Sequence, residues 1–224
     1  MKAMILAAGR GERMRPLTDH TPKPLLMAGD QPLIGHHILR LKAAGFSQLV
    51  INTSYLAEQI HQQLGDGSGY GVSITYSDEP QPALETGGGI VNALPLLGEG
   101  RFLVINGDVW CDYPLHRLRQ VKTDHAHLLL VDNPGHHPQG DFSLEGLRVL
   151  PAAQQTLTYS GIAVFDSRFF AGMEPGRFSL GPILHQAAAE MRLTGEYYRG
   201  QWLDVGTVER LNDLRERFTH KASL

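Results

Sequence analysis

Residues 9–23 gather groups that could hold phosphate. Gly9, Gly11, Arg13, Arg15 and Lys23 follow directly on an apolar run at residues 2–8. Glycine lets backbone N–H groups approach an anion closely. An arginine fork and a compact lysine charge both suit phosphate oxygens. Two carboxylates stand far downstream in suggestive settings. Asp108 ends the string Asn106-Gly107-Asp108, and Asp204 opens Asp204-Val205-Gly206-Thr207. A second glycine-dense stretch, Pro82 to Gly89, looks like a turn that opens a helix.

Each feature also has a plainer reading. Two glycines in three residues can be a bare turn with surface arginines. Asp108 alone could form a turn, and Asp204 could complement the dipole of a following helix. Known phosphate loops fit poorly. The P-loop string of Gly, four residues, Gly-Lys-Ser/Thr occurs nowhere. The dinucleotide fingerprint would need a third glycine where this chain has Met14. The single cysteine, Cys111, forms no internal disulfide and reads as a small buried hydrophobe. His36-His37 and His136-His137 are adjacent pairs without zinc-site spacing.

The elements that must carry these residues alternate between strand and helix. Residues 2–8, apolar throughout after Lys2, read as a parallel strand buried on both faces. Helical spacing at residues 33–44 ends at Gly45, and a strand over 48–52 and a helix over 56–64 follow. Strands are expected over 72–76, 101–106 and 127–131. A short helix over 89–97 should end early at Pro95, and another should cover 115–122. Beyond the Pro-, Gly- and His-rich loop 133–140, residues 146–150 and 157–165 read as antiparallel strands joined around Pro151. Helices over 180–192 and 207–219 close the chain, with a short strand in 197–204 between them and Thr207 as N-cap.

This order predicts an α/β fold, a doubly wound and mostly parallel sheet, with a small antiparallel part on the same core. One domain spanning residues 1–224 is expected. Ligands of such sheets bind beyond the carboxyl ends of the strands, where the glycine loop and Asp108 fall. The net charge of −3 offers no global attraction for nucleic acid or an anionic membrane. No apolar run approaches the ~20 residues of a membrane span, and no protein partner is evident. A cytoplasmic location is expected.

Taken as a whole, Gly9, Gly11, Arg13, Met14, Pro16, Leu17 and Thr18 with Pro22-Lys23-Pro24 resemble the signature of sugar-1-phosphate nucleotidyltransferases. Many members carry Thr where this chain has Glu12, and backbone groups there can still serve. The resemblance covers essentially the whole chain and implies a fold of the type deduced above. It implies that Gly9, Gly11 and Glu12 cradle a nucleoside triphosphate. Arg13 would stabilise the departing pyrophosphate, and Lys23 would face the α-phosphate or the incoming sugar phosphate; these two are the catalytic candidates. It makes Asp108 and Asp204 metal ligands, and two hard carboxylates with phosphate oxygens suit Mg²⁺. It lays Ala83 and Gly88 against the base. On the sugar side it implies Asn106, Gly140, Asp141 and Tyr159. Glu145 stands near the place of a Glu-Lys pair that this chain otherwise lacks.

Within the family, Leu84 to Gly89 and Asn133-Pro134 most resemble members that join UTP to N-acetylmuramate 1-phosphate in bacterial cell-wall recycling. Short mannose-1-phosphate guanylyltransferases share much of the pattern. A lactyl carboxylate on the sugar would need a cation or donor, for which His136, His137 and Arg199 are available. A non-catalytic nucleotide-sugar sensor on the same fold is the contrasting possibility.

Overall fold

A computed structural model describes residues 1–221, with side chains to Phe218. In chain order its strands are β1 (Ala3–Leu6), β2 (Met27–Ala28), β3 (Gln31–Pro32), β4 (Gln48–Thr53), β5 (Ser73–Asp78), β6 (Arg101–Asn106), β7 (Val109–Cys111), β8 (Ala126–Val131), β9 (Phe142–Glu145), β10 (Arg148–Pro151), β11 (Thr158–Asp166), β12 (Leu193–Tyr197) and β13 (Trp202–Asp204). Its α-helices are α1 (Leu33–Ala43), α2 (Ala57–Leu64), α3 (Glu85–Leu97), α4 (Leu180–Ala189) and α5 (Val208–Lys221).

Nine strands form one mixed sheet in the order β5-β4-β1-β6-β11-β8-β12-β10-β9. The first four run parallel, as does the β8–β12 pair, and the other pairs are antiparallel. The unbroken apolar strands explain the two-sided packing. Because side chains alternate along a strand, Ala3 and Ile5 join one core while Met4 joins the other. The first core packs against α1 and α2 through Ile34, Ile38, Leu41 and Ile60. The second packs against α3 and α4 through Ile90, Leu97 and Leu184. Each such side chain, fully buried, contributes about 1.5–3 kcal/mol. A third cluster sits at the site end, where Met14, Leu26, Trp110, Val205, Leu211 and Leu214 are all buried. It anchors the glycine loop to α5, so Met14 occupies the place of a packing glycine as a hydrophobic pin.

Three expectations are revised. The helix expected over 89–97 begins at Glu85 and continues through Pro95 to Leu97. The segment over 115–122 is a 3₁₀ helix, Leu115–Gln120. The stretches 146–150 and 157–165 are not partners. β10 turns back on β9, while β11 inserts between β6 and β8. Residues 160–166 are all buried, which requires a central position, whereas β9 and β10 keep exposed residues and lie at the edge. The antiparallel strands therefore extend the main sheet. Thr207 caps α5 as expected, its Oγ1 accepting from the Arg210 amide at 3.3 Å.

Candidate active site

A cleft of about 460 Å³ opens at the carboxyl ends of four adjacent parallel strands. Its walls come from Leu6 to Gly9 after β1, Asn52 in β4, Glu79 after β5 and Asn106 to Asp108 after β6. Ala83, Glu85 and Thr86 at the start of α3 form one lip, and Gly11, Glu12, Arg13 and Lys23 the other. Of the residues expected to bind ligand, Gly9, Gly11, Glu12, Arg13, Lys23, Ala83, Asn106 and Asp108 line this one cavity.

The phosphate lip is built locally. Gly11 sits in the left-handed region at φ 69°, which favours glycine. A Cβ there would lie 3.0 Å from Cβ of Lys23, so the missing side chain also admits the lysine stem. Thr18 Oγ1 donates to the Gly11 carbonyl at 2.9 Å and closes the loop. Arg15 is engaged by Asp19 at 2.6 Å, and Arg10 lies over the Tyr55 ring. Arg13 is exposed and, among the described residues, has no carboxylate ion-pair partner. Of the loop arginines it is the one that lines the cleft.

Lys23 is buried, and its Nζ donates to Asp108 Oδ2 at 2.6 Å. Asp204 is brought to the same place from 96 residues further along (204 − 108) by a short ladder. β7 and β13 pair antiparallel with Asp204 opposite Val109, and the Val205 amide donates to the Asp108 carbonyl at 2.7 Å. Arg210 Nη1 donates to Asp204 Oδ2 at 2.7 Å, and His136 Nε2 stands 3.4 Å from the same oxygen. Asp204 Oδ1 is buried without a hydrogen-bond partner. Gly206 explains the Asp-Val-Gly string, since a Cβ there would lie 2.9 Å from both Arg13 Nη2 and Asp204 Oδ1.

Among the described residues, no group of three or more His, Cys, Asp or Glu side chains could hold a metal ion. Asp108 and Asp204 nevertheless suit a hard cation that completes its shell with substrate oxygens. The open, buried Oδ1 of Asp204 is the observation that supports this fit.

The remaining expected contacts lie elsewhere. Gly88 is in the body of α3, and its amide donates to the Phe178 carbonyl at 3.0 Å. A Cβ on Gly88 would run into the Gly176 carbonyl, so this glycine serves helix packing. Asp141 accepts from the Tyr159 amide at 2.8 Å and meets His137 at 3.0 Å. The Tyr159 ring packs on the second core, and its hydroxyl is buried without a partner. Burial pushes that phenol above its ordinary pKa. Gly140 packs against Asn133, and Glu145 is exposed on the edge strand β9. Arg199 lies over the Tyr197 ring. Cys111 is buried, its thiol pushed up to about 11 by burial, and is therefore inert.

Asn52 and Glu79 are cleft residues without a motif, while Thr86 and Gly206 lie inside strings already noted but are given no role by them. Asn52 and Glu79 could have been found by position alone, near the ends of parallel strands. Glu85, at φ 63°, is a left-handed non-glycine residue on the cleft lip and pairs with Arg177 at 3.2 Å. Such backbone costs about 1–2 kcal/mol.

The model of the family described as nucleotidyl transferase matches residues 2–142. The chain is 52% identical over 222 residues to an N-acetylmuramate alpha-1-phosphate uridylyltransferase of Neisseria meningitidis, covering 95% of this chain and 96% of that protein. A Caulobacter vibrioides protein of the same name is 36% identical, covering 91% of each. Among solved structures, a putative glucose-1-phosphate thymidylyltransferase from Bacillus anthracis superposes with a TM-score of 0.86 at 24% identity, over 97% of this chain and 94% of that one. HddC from Yersinia pseudotuberculosis, solved with GMP-PN, gives a TM-score of 0.81 at 20% identity, over 97% and 99%. These two likenesses establish the fold.

Proposed function

Since this chain belongs to the nucleotidyl transferase family, we propose that its cleft joins UTP to N-acetylmuramate α-1-phosphate, releasing pyrophosphate and a UDP-sugar. The observation that carries this reading is that Arg13, Lys23 and Asp108 line one strand-end cleft, with Asp204 outside its lining but held next to it by the β7–β13 ladder and facing Arg13 across Gly206. The activity for which the two bacterial relatives are named supports the choice of base and sugar. On the same reading the reaction belongs to cytoplasmic cell-wall recycling.

The chemistry is an in-line displacement at the α-phosphorus. The sugar phosphate oxygen attacks, and the bond to the β-phosphate's bridging oxygen breaks. The nucleophile is already an anion, so no covalent enzyme intermediate is required. The backbone of residues 9–12 and the Arg13 fork hold the triphosphate end that departs, countering charge that grows on pyrophosphate. Lys23 exchanges its hold on Asp108 for non-bridging oxygens of the α-phosphate and the incoming sugar phosphate, as the bond forms from the sugar-phosphate oxygen to the α-phosphorus. Asp108 and Asp204 would hold Mg²⁺, which supplies charge neutralisation and order to the triphosphate when bound. Asn106, beside Asp108 in the cleft, offers an amide to the sugar phosphate or a sugar hydroxyl. The base lies toward Ala83 and the start of α3.

The test is pyrophosphate release from a matrix of nucleoside triphosphates and sugar 1-phosphates with Mg²⁺. Release is expected to be greatest with UTP and N-acetylmuramate 1-phosphate, and to fall below detection in Asp108→Asn and Asp204→Asn. A guanylyltransferase would instead favour GTP with mannose 1-phosphate. Silence across the matrix would leave only the sensor.

A further inference from the structure

The two lips of the cleft are tied together by a buried hydrogen-bond chain. The Ala7 amide, which leads into the phosphate loop, donates to Asn52 Oδ1 at 2.7 Å. Asn52 Nδ2 donates to Glu79 Oε1 at 2.7 Å. Glu79 Oε2 accepts from the amide of Leu84, the residue between Ala83 and Glu85, at 2.7 Å. Asn52 is 2% exposed and Glu79 8%, and neither forms an ion pair among the described residues. Gly89 in α3 is shaped around this chain. A Cβ there would stand 2.5 Å from Glu79 Oε1 and 2.9 Å from Asn52 Nδ2. Of the three consecutive glycines, this one leaves room for a polar bridge.

A buried carboxylate without a cation is costly unless its lone pairs are used. Here two of them are spent on setting the distance between two backbone segments. Asn52 cannot be replaced at will, because it must accept at one end and donate at the other. We infer that Asn52 and Glu79 are positioning residues that fix the spacing between the phosphate lip and the base lip of the cleft, and hence the fit of a nucleoside triphosphate. This rests on the proposed reading of the cleft as a nucleotide site. It adds that nucleotide affinity depends on a bridge whose members act through the Ala7 and Leu84 amides.

The bridge has a polarity that can be reversed. Glu79→Gln alone must set its NH₂ against another donor, either Asn52 Nδ2 or the Leu84 amide, and Asn52→Asp alone sets two carboxylates face to face. The double variant Asn52→Asp/Glu79→Gln restores all three hydrogen bonds with the central one running the other way, at unchanged net charge. UTP binding with Mg²⁺ by calorimetry and amide hydrogen exchange at Ala7 and Leu84 by NMR are measured on the full chain. Each single variant is expected to weaken UTP binding about tenfold or more and to speed exchange at both amides. The double variant is expected to regain both properties to within about threefold of wild type. Single variants that bind and exchange like wild type would overturn the inference. So would a double variant as weak as Glu79→Gln, because the Glu79 charge would then be acting on the ligand itself. A wild-type chain that binds no nucleoside triphosphate would overturn the site reading, and the bridge's role with it.

Discussion

Lys23 offers the sharpest separation of a catalytic role from a structural one. Its buried ammonium is 2.6 Å from Asp108, so removing it might be thought only to orphan a carboxylate. The Asp108 side chain is 33% exposed, however, and water can resolvate it. A hydrogen bond to a charged group contributes about 1.5–3 kcal/mol, and the exposure places Lys23→Ala near or below the lower end, at about 1 kcal/mol. For a domain of this size, that is a fall in Tm of about 2–4 °C. Loss of a preorganised cation from the transition state costs about 10²–10³ in rate, or roughly 3–4 kcal/mol. The variant should therefore stay folded while kcat/KM for UTP and the sugar phosphate collapses. Lys23→Arg should not fully rescue it, because a planar guanidinium cannot repeat the point contact that the ammonium makes with Asp108. The assays are pyrophosphate release and a thermal melt on the same preparation. A loss of less than tenfold in kcat/KM with a Tm drop of 10 °C would refute the reasoning and make Lys23 a strut for Asp108.

Three further outcomes are expected. Arg13→Ala should lower kcat by about 10²-fold or more and shift stability by no more than about 0.5 kcal/mol, since Arg13 is exposed; equal losses in melt and turnover would contradict the leaving-group role. His37 is held down to about 4 by burial and by the neighbouring Arg40, against an ordinary 6.5. The unfolded chain therefore binds a proton that the folded chain refuses between those values, and stability falls as pH drops from 6.5 toward 4, by up to about 3 kcal/mol. Urea unfolding of His37→Gln at pH 7 and pH 4.5 should show a smaller loss than wild type, and an identical loss would sink the assignment. Gly88→Ala must push its new methyl into the Gly176 carbonyl, so a destabilisation of about 2 kcal/mol or more is expected by denaturant titration; a neutral result would show that the loop at Gly176 yields freely.

Periodicity in the sequence was enough for the parallel strands of the first half, their faces and the helices α1 and α2, but not for β7, β9 or β12. The unbroken runs at β1 and β6 required burial on both sides, and the period of two divided them between two cores without reference to any partner. The phosphate loop was also legible, because glycines, arginines and a lysine directly after a strand are a local arrangement. Asp108 could be placed at a strand end for the same reason. Those features depend on neighbours a few residues away, and local sterics dictate them.

Tertiary structure decided what depends on pairing. The β7–β13 ladder sets Asp204 beside Asp108, and no local pattern encodes that register. β11 entered the middle of the sheet because its wholly buried face needed two neighbours, a choice made by competition among all strands. The glycine-dense stretch read as a turn opening a helix, and the packed structure gives its glycines separate tasks, Gly88 clearing the backbone at Gly176 and Gly89 clearing the Asn52–Glu79 bridge. Asn52 and Glu79 carried no motif. Their meaning lies in three hydrogen bonds between segments 27 to 45 residues apart, or within five of one another, and only the packed sheet brings those atoms within reach.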